Sequence, residues 1–139
     1  MSLKIKERRR ARFHAIQALY QKQIAQTSLS ELKLQFHQEN IDRHTVEWDF
    51  FYRLMDGVEA KKALLDQKIN QFAANNIDSI NPIDLSILRL GTYELIDCLE
   101  IPHQVILSEY TEHAKCFGTD SGYRFINGIL EQLAAELRH

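Results

Sequence analysis

Six histidines, two cysteines and a pair of glutamates one helical turn apart are the residues of this 139-residue sequence whose types could do chemistry. The histidines are His14, His37, His44, His103, His113 and His139. No two of them stand at i, i+4 beside a carboxylate, the spacing by which a helix presents two imidazoles to a metal. Glu109 and Glu112 could share a metal, but a solvated acidic face is the expected role. Cys98 and Cys116 lie eighteen positions apart with no CxxC pair. Two reduced, incidental thiols in a cytoplasmic protein are expected, with Cys116 buried and inert. No GxxxxGK[ST], GxGxxG or GxSxG stretch occurs, so phosphate-loop and hydrolase chemistry lack support. The balance points away from an enzyme, a cofactor or a metal and towards binding.

The binding signal is electrostatic. Lys4, Lys6, Arg8, Arg9, Arg10 and Arg12 supply six of the seventeen basic residues within the first twelve positions, against Glu7 alone. That head is +5 and the chain is −2, so the remainder carries −7. Such asymmetry suits a polyanion. A second candidate lies near the other end, where "GTDSG" is followed by Tyr123-Arg124-Phe125. An aromatic and a cation at a helix N-terminus make a platform for phosphate and an unpaired base. For Phe125, core packing against Ile129 or Leu130 is the competing role, and the arginine run competes with a solvated tail.

The elements that must position these residues are helical. Five glycines and two prolines interrupt the chain, and no period-2 run is bounded by hairpin turns. The pattern predicts one all-α domain over 1–139, with two packed three-helix halves, about 1–76 and 81–139, and six to seven helices. No apolar run approaches the ~20 residues of a membrane span. The first helix is predicted from about Arg8 to Gln26, with Arg10, His14, Gln17 and Gln21 on one polar stripe. Arg8, Arg9 and Arg12 then stand at its overhang, open to a ligand. Ser28-x-x-Glu31 reads as a capping box for a second helix, and Thr45 as the cap of a long one from Val46, in which Gly57 kinks the helix or admits a close neighbour. Asn81-Pro82 opens a further helix and Ile101-Pro102 the next, which Gly118 ends with a left-handed cap. Asp120 or Ser121 is expected to cap the last.

"RRRARFHAIQALYQ", "ILRLGTYEL" and "IPHQVILSEYTEHAKCFGTDSGYRFINGIL" occur in this order and closely resemble the NusB family of bacterial transcription antitermination factors. The resemblance runs from about Arg8 to Leu137, more loosely in the middle. It implies an all-α fold of two three-helix halves and a non-catalytic role in processive antitermination on ribosomal RNA operons. Its implied partners are a single-stranded boxA element in nascent RNA, the ribosomal protein that doubles as NusE, and the elongation complex with other Nus factors. A homodimer is also left open. Carried over by position, the RNA-facing residues are Arg8, Arg9, Arg10, Arg12, Tyr20, Arg124 and Phe125, with Tyr20 also near the partner, and Asp84 is the acid facing NusE.

Some positions depart from the family pattern. Gln104 replaces a lysine, Ser108 an asparagine, and Ser121-Gly122 stand where Asp-Ser is usual. Two other readings compete: a detached copy of the NusB-like domain of ribosomal RNA cytosine methyltransferases, for whose catalytic domain 139 residues leave no room, and a helical adaptor whose arginines meet an acidic protein.

Overall fold

The computed structural model describes residues 3–40, 45–74, 76–118 and 122–138. Among them are six α-helices and no strand: α1 (Leu3–Ala25), α2 (Leu29–Asn40), α3 (Trp48–Phe72), α4 (Pro82–Asp97), α5 (His103–Phe117) and α6 (Gly122–Leu137), with a 3-10 turn at Ile77–Ser79 before α4. The all-helical expectation is met.

α4 is the hub. It packs on α1 and α3 and also on α5 and α6. Every residue from Asp84 to Leu95 except Arg89 is buried. A helix enclosed on all sides needs no apolar stripe, which is why "LSILRLGTYEL" is apolar around most of its circumference. One hydrophobic core runs through the helices on both sides of it, from Ile16 and Phe51 to Ile106 and Leu130.

Close approaches to the core helices are made possible by glycine. A Cβ on Gly57 would lie 2.1 Å from Cζ of Tyr93, and one on Gly91 would lie 2.9 Å from a methyl of Leu130. Gly57 therefore admits a neighbour from α4. The caps follow local chemistry: Ser28 Oγ accepts from the Glu31 N–H at 3.3 Å, and Asn81 Oδ1 from the Asp84 N–H at 2.9 Å. Gly118 ends α5 at φ 58°. At the far end of α4, the Arg138 guanidinium donates to the carbonyls of Glu94, Leu95, Cys98 and Ile101 at 2.8–3.1 Å.

Two helix starts differ from the sequence reading. α3 begins at Trp48, not Val46, because Glu47 is tied to α1 by its N–H on the Glu7 carbonyl and its carboxylate on Arg8. α1 begins at Leu3, five residues early, so the basic head is itself helical and its arginines lie in the second and third turns. The Asp120 and Ser121 caps lie outside the described residues.

Candidate nucleic-acid interface

α1 sorts the six cations of the head by depth. Lys4 and Lys6 are exposed and make no ion pair among the described residues. Arg8 pairs with Glu47 at 3.0 Å and lies 4.7 Å from the Phe50 ring centroid. Arg9, half-exposed, grips Glu109 with Nε at 3.0 Å and Nη2 at 2.7 Å. Arg10 donates to the Thr45 carbonyl at 2.9 Å, a contact that leaves its charge uncompensated. The expected polar stripe is largely covered by α2 and α3: His14 stacks on Trp48 at 5.8 Å, and Gln21 bonds Gln35.

Arg12 goes inward. Its side chain is 3% exposed and meets Glu94, 0% exposed, through Nε at 2.8 Å and Nη2 at 2.9 Å. The Tyr110 hydroxyl also donates to Glu94, and Glu109 lies 3.6 Å from Arg12. Burial alone would lower the Arg12 pKa, but the hydrogen bonds and charge of Glu94 outweigh it and hold the guanidinium above its ordinary value. Burial likewise works against the Glu109 carboxylate, and the Arg9 hydrogen bond and both arginine charges override it, lowering its pKa. Arg9 is held above its ordinary range, chiefly by the hydrogen bond to Glu109.

His113 lies beside this network, near Phe13 and Tyr110. Its Nε2 is buried without a hydrogen-bond partner among the described residues, and burial pushes its pKa down from 6.5 to about 4. An unfolded chain takes up that proton near pH 6.5, the folded one only near pH 4, so stability falls as pH drops through this window. Glu109, whose pKa is depressed, acts in the same direction at the acid end. His113→Gln is expected to flatten the stability–pH curve between pH 6.5 and 4 in urea titrations; an unchanged curve assigns the dependence elsewhere.

The second candidate region joins α5 and α6. Arg124 is exposed, 5.8 Å from the Tyr123 ring centroid, and Lys115 approaches the same ring at 4.7 Å. Phe125 is half-buried against the core. Tyr20 is 37% exposed and lines an open groove of about 580 Å³ with Ile24, Phe36, Ile83 and Phe117.

The model of the NusB family matches residues 9–135. The chain belongs to the NusB family. It is 40% identical to the transcription antitermination protein NusB of Legionella pneumophila (strain Corby), over 96% of this chain and 90% of that one. With the same protein of Hahella chejuensis it shares 36%, over 99% and 92%. The solved T. maritima NusB has a TM-score of 0.79 at 30% identity, covering 92% of this chain and 90% of that one. A structure of the antitermination factors NusB and NusE in complex with dsRNA has the same fold, with a TM-score of 0.85 at 20% identity over 95% and 98%.

Two of the residues carried over from the NusB resemblance need correction. Arg12 is not open to a ligand, because its charge is spent on Glu94 inside the protein. Asp84 is not at the surface: it is 0% exposed, its N–H is capped by Asn81, and its Oδ2 accepts from Asn81 Nδ2 at 2.9 Å. The supposed solvated acidic face is also wrong for Glu109, which is 6% exposed and paired. Glu112 pairs with Lys115, and the described residues hold no cluster suited to a metal. Cys116 is exposed, where burial was expected, while Cys98 is buried and its thiol is pushed up to about 12 by burial. Lys4, Lys6 and Lys115 join the candidate site, the first two from the basic run and all three outside the positions carried over from the family. His44 and His139 lie outside the described residues, and no described helix is long and apolar enough to cross a membrane.

Proposed function

We propose that this chain acts in transcription antitermination, binding a boxA-type single-stranded element of ribosomal RNA transcripts together with NusE. Its role is recognition without catalysis, in the cytoplasm, alongside the elongation complex and other Nus factors. The observation that carries this reading is the sorting of the head: Arg12 is neutralised inside, Arg8 and Arg9 are paired at the edge, and Lys4, Lys6 and Arg10 keep their charge at the surface. Uncompensated cations on one helix are what phosphates select, through counterion release. Arg124 and Lys115 flank Tyr123 and offer a second contact where a base can stack. Family membership and the NusB–NusE complex with RNA support the choice of RNA and NusE as partners. The groove beside Tyr20, with exposed Ile24 at its edge, is the proposed NusE-facing surface, and a homodimer would compete for such open faces.

Competition binding tests the reading. With NusE present, unlabelled boxA RNA should displace labelled boxA from the chain at concentrations where a scrambled RNA of equal length and charge does not. Equal displacement by both would reduce the binding to charge alone. Displacement by neither, with retention of an acidic protein, would favour the adaptor instead.

A further inference from the structure

The glycines inside the helices are not all explained by the protein's own packing. Gly57 and Gly91 make room for Tyr93 and Leu130. Gly128, in the middle of α6, does not: a Cβ on it would meet nothing within 4 Å among the described residues, and its backbone has no positive φ. Glycine weakens a helix interior, and one that faces open space leaves the backbone accessible to a close approach from outside. Gly128 borders a groove of about 360 Å³ between α5 and α6, within the range of small-ligand clefts.

The lining of that groove is ordered by charge. Inside, the Thr111 hydroxyl donates to Asn127 Oδ1 at 3.1 Å, and Asn127 Nδ2 donates to Glu131 Oε1 at 3.0 Å, which fixes the amide's orientation. Glu131 adds a carboxylate that no cation meets among the described residues, while Glu112 is paired with Lys115 at 3.1 Å, so a phosphate is repelled from the Glu131 end of the groove. Lys115 and Arg124, at 4.7 and 5.8 Å from the Tyr123 ring, bring cations and an aromatic face beside it. Acceptors within and cations alongside match one nucleotide, whose base edge donates and whose phosphate is anionic. Carboxylates accept from exocyclic amines of bases, and uracil has none.

We infer that the α5–α6 groove is a single-base subsite in which Glu131 and Asn127 read a base bearing an exocyclic amine, laid against the α6 backbone at Gly128. This rests on the RNA reading above and adds where one base is discriminated and by which groups. The subsite accounts for the open glycine and for the acids beside an RNA-facing surface.

Gly128→Leu tests it, because its Cβ has open space and the rest of the side chain extends into the groove. The full chain with NusE is titrated with boxA RNA and with boxA variants carrying uridine in place of each cytosine, adenine and guanine in turn. Wild type should lose about tenfold or more at one amine-bearing position. Gly128→Leu should lose affinity for boxA by about the same factor, abolish that discrimination, and keep both the salt slope and NusE affinity. Should Gly128→Leu fail to fold by circular dichroism, Glu131→Gln, on an exposed residue, is expected to weaken discrimination at the same position. Wild-type affinity and discrimination in whichever variant folds would overturn the subsite while leaving boxA recognition standing. Absence of any boxA preference in the wild type would remove both.

Discussion

Arg12→Ala is expected to destabilise the fold by about 3–5 kcal/mol, the range seen when one partner of a buried ion pair is removed. Among the described residues, the truncation leaves Glu94 fully buried with Tyr110 as its remaining side-chain donor, and Glu109 loses the more interior of its two cations. It also removes the guanidinium from the Phe50 ring, 5.1 Å away. Urea denaturation measures the loss directly. Replacing the group together, Arg12→Met and Glu94→Leu with Tyr110→Phe, should recover most of it, since an apolar set avoids both the uncompensated charge and an unpaired buried hydroxyl. A loss below about 1 kcal/mol for Arg12→Ala would mean that water reaches Glu94, contrary to its burial.

The same residue shows where sequence reasoning stops. Its position in a basic run was legible, but its partner lies 82 residues away on α4, and nothing local distinguishes it from Arg10. Asp84 is similar: its sign suggested a basic partner, whereas its place three residues after Asn81 made it part of a cap. Local chemistry was read well wherever it decided the outcome, as at Ser28, Asn81-Pro82 and Gly118. The start of α1 was not legible in the apolar pattern, because Leu3 and Ile5 are exposed and the first residue that α1 buries is Ala11. Ties from Glu47 to Glu7 and Arg8 hold its first turns against α3. A helix read from Arg8 leaves Lys4 and Lys6 outside it, whereas the structure places both, exposed, in its first turn. The mid-helix position of Gly128 was visible, but the empty groove above it depends on how α5 meets α6.

Removing Lys4, Lys6 and Arg10 together should have the largest effect on binding. Each contact with a phosphate of single-stranded RNA adds about 0.7 to the magnitude of the log–log salt slope. The triple change to Ala should therefore flatten the slope by about two and weaken boxA and scrambled RNA alike. Arg8, whose charge is met by Glu47, should contribute less when changed singly. None of the three residues is buried, so the fold should be retained, and circular dichroism checks this. The decisive measurement is the affinity for boxA RNA across a salt series, for wild type and the Lys4→Ala, Lys6→Ala, Arg10→Ala variant side by side. Recognition of RNA by the open cations of α1 predicts two straight lines differing in slope by about two; parallel lines, with the triple variant folded, would contradict it.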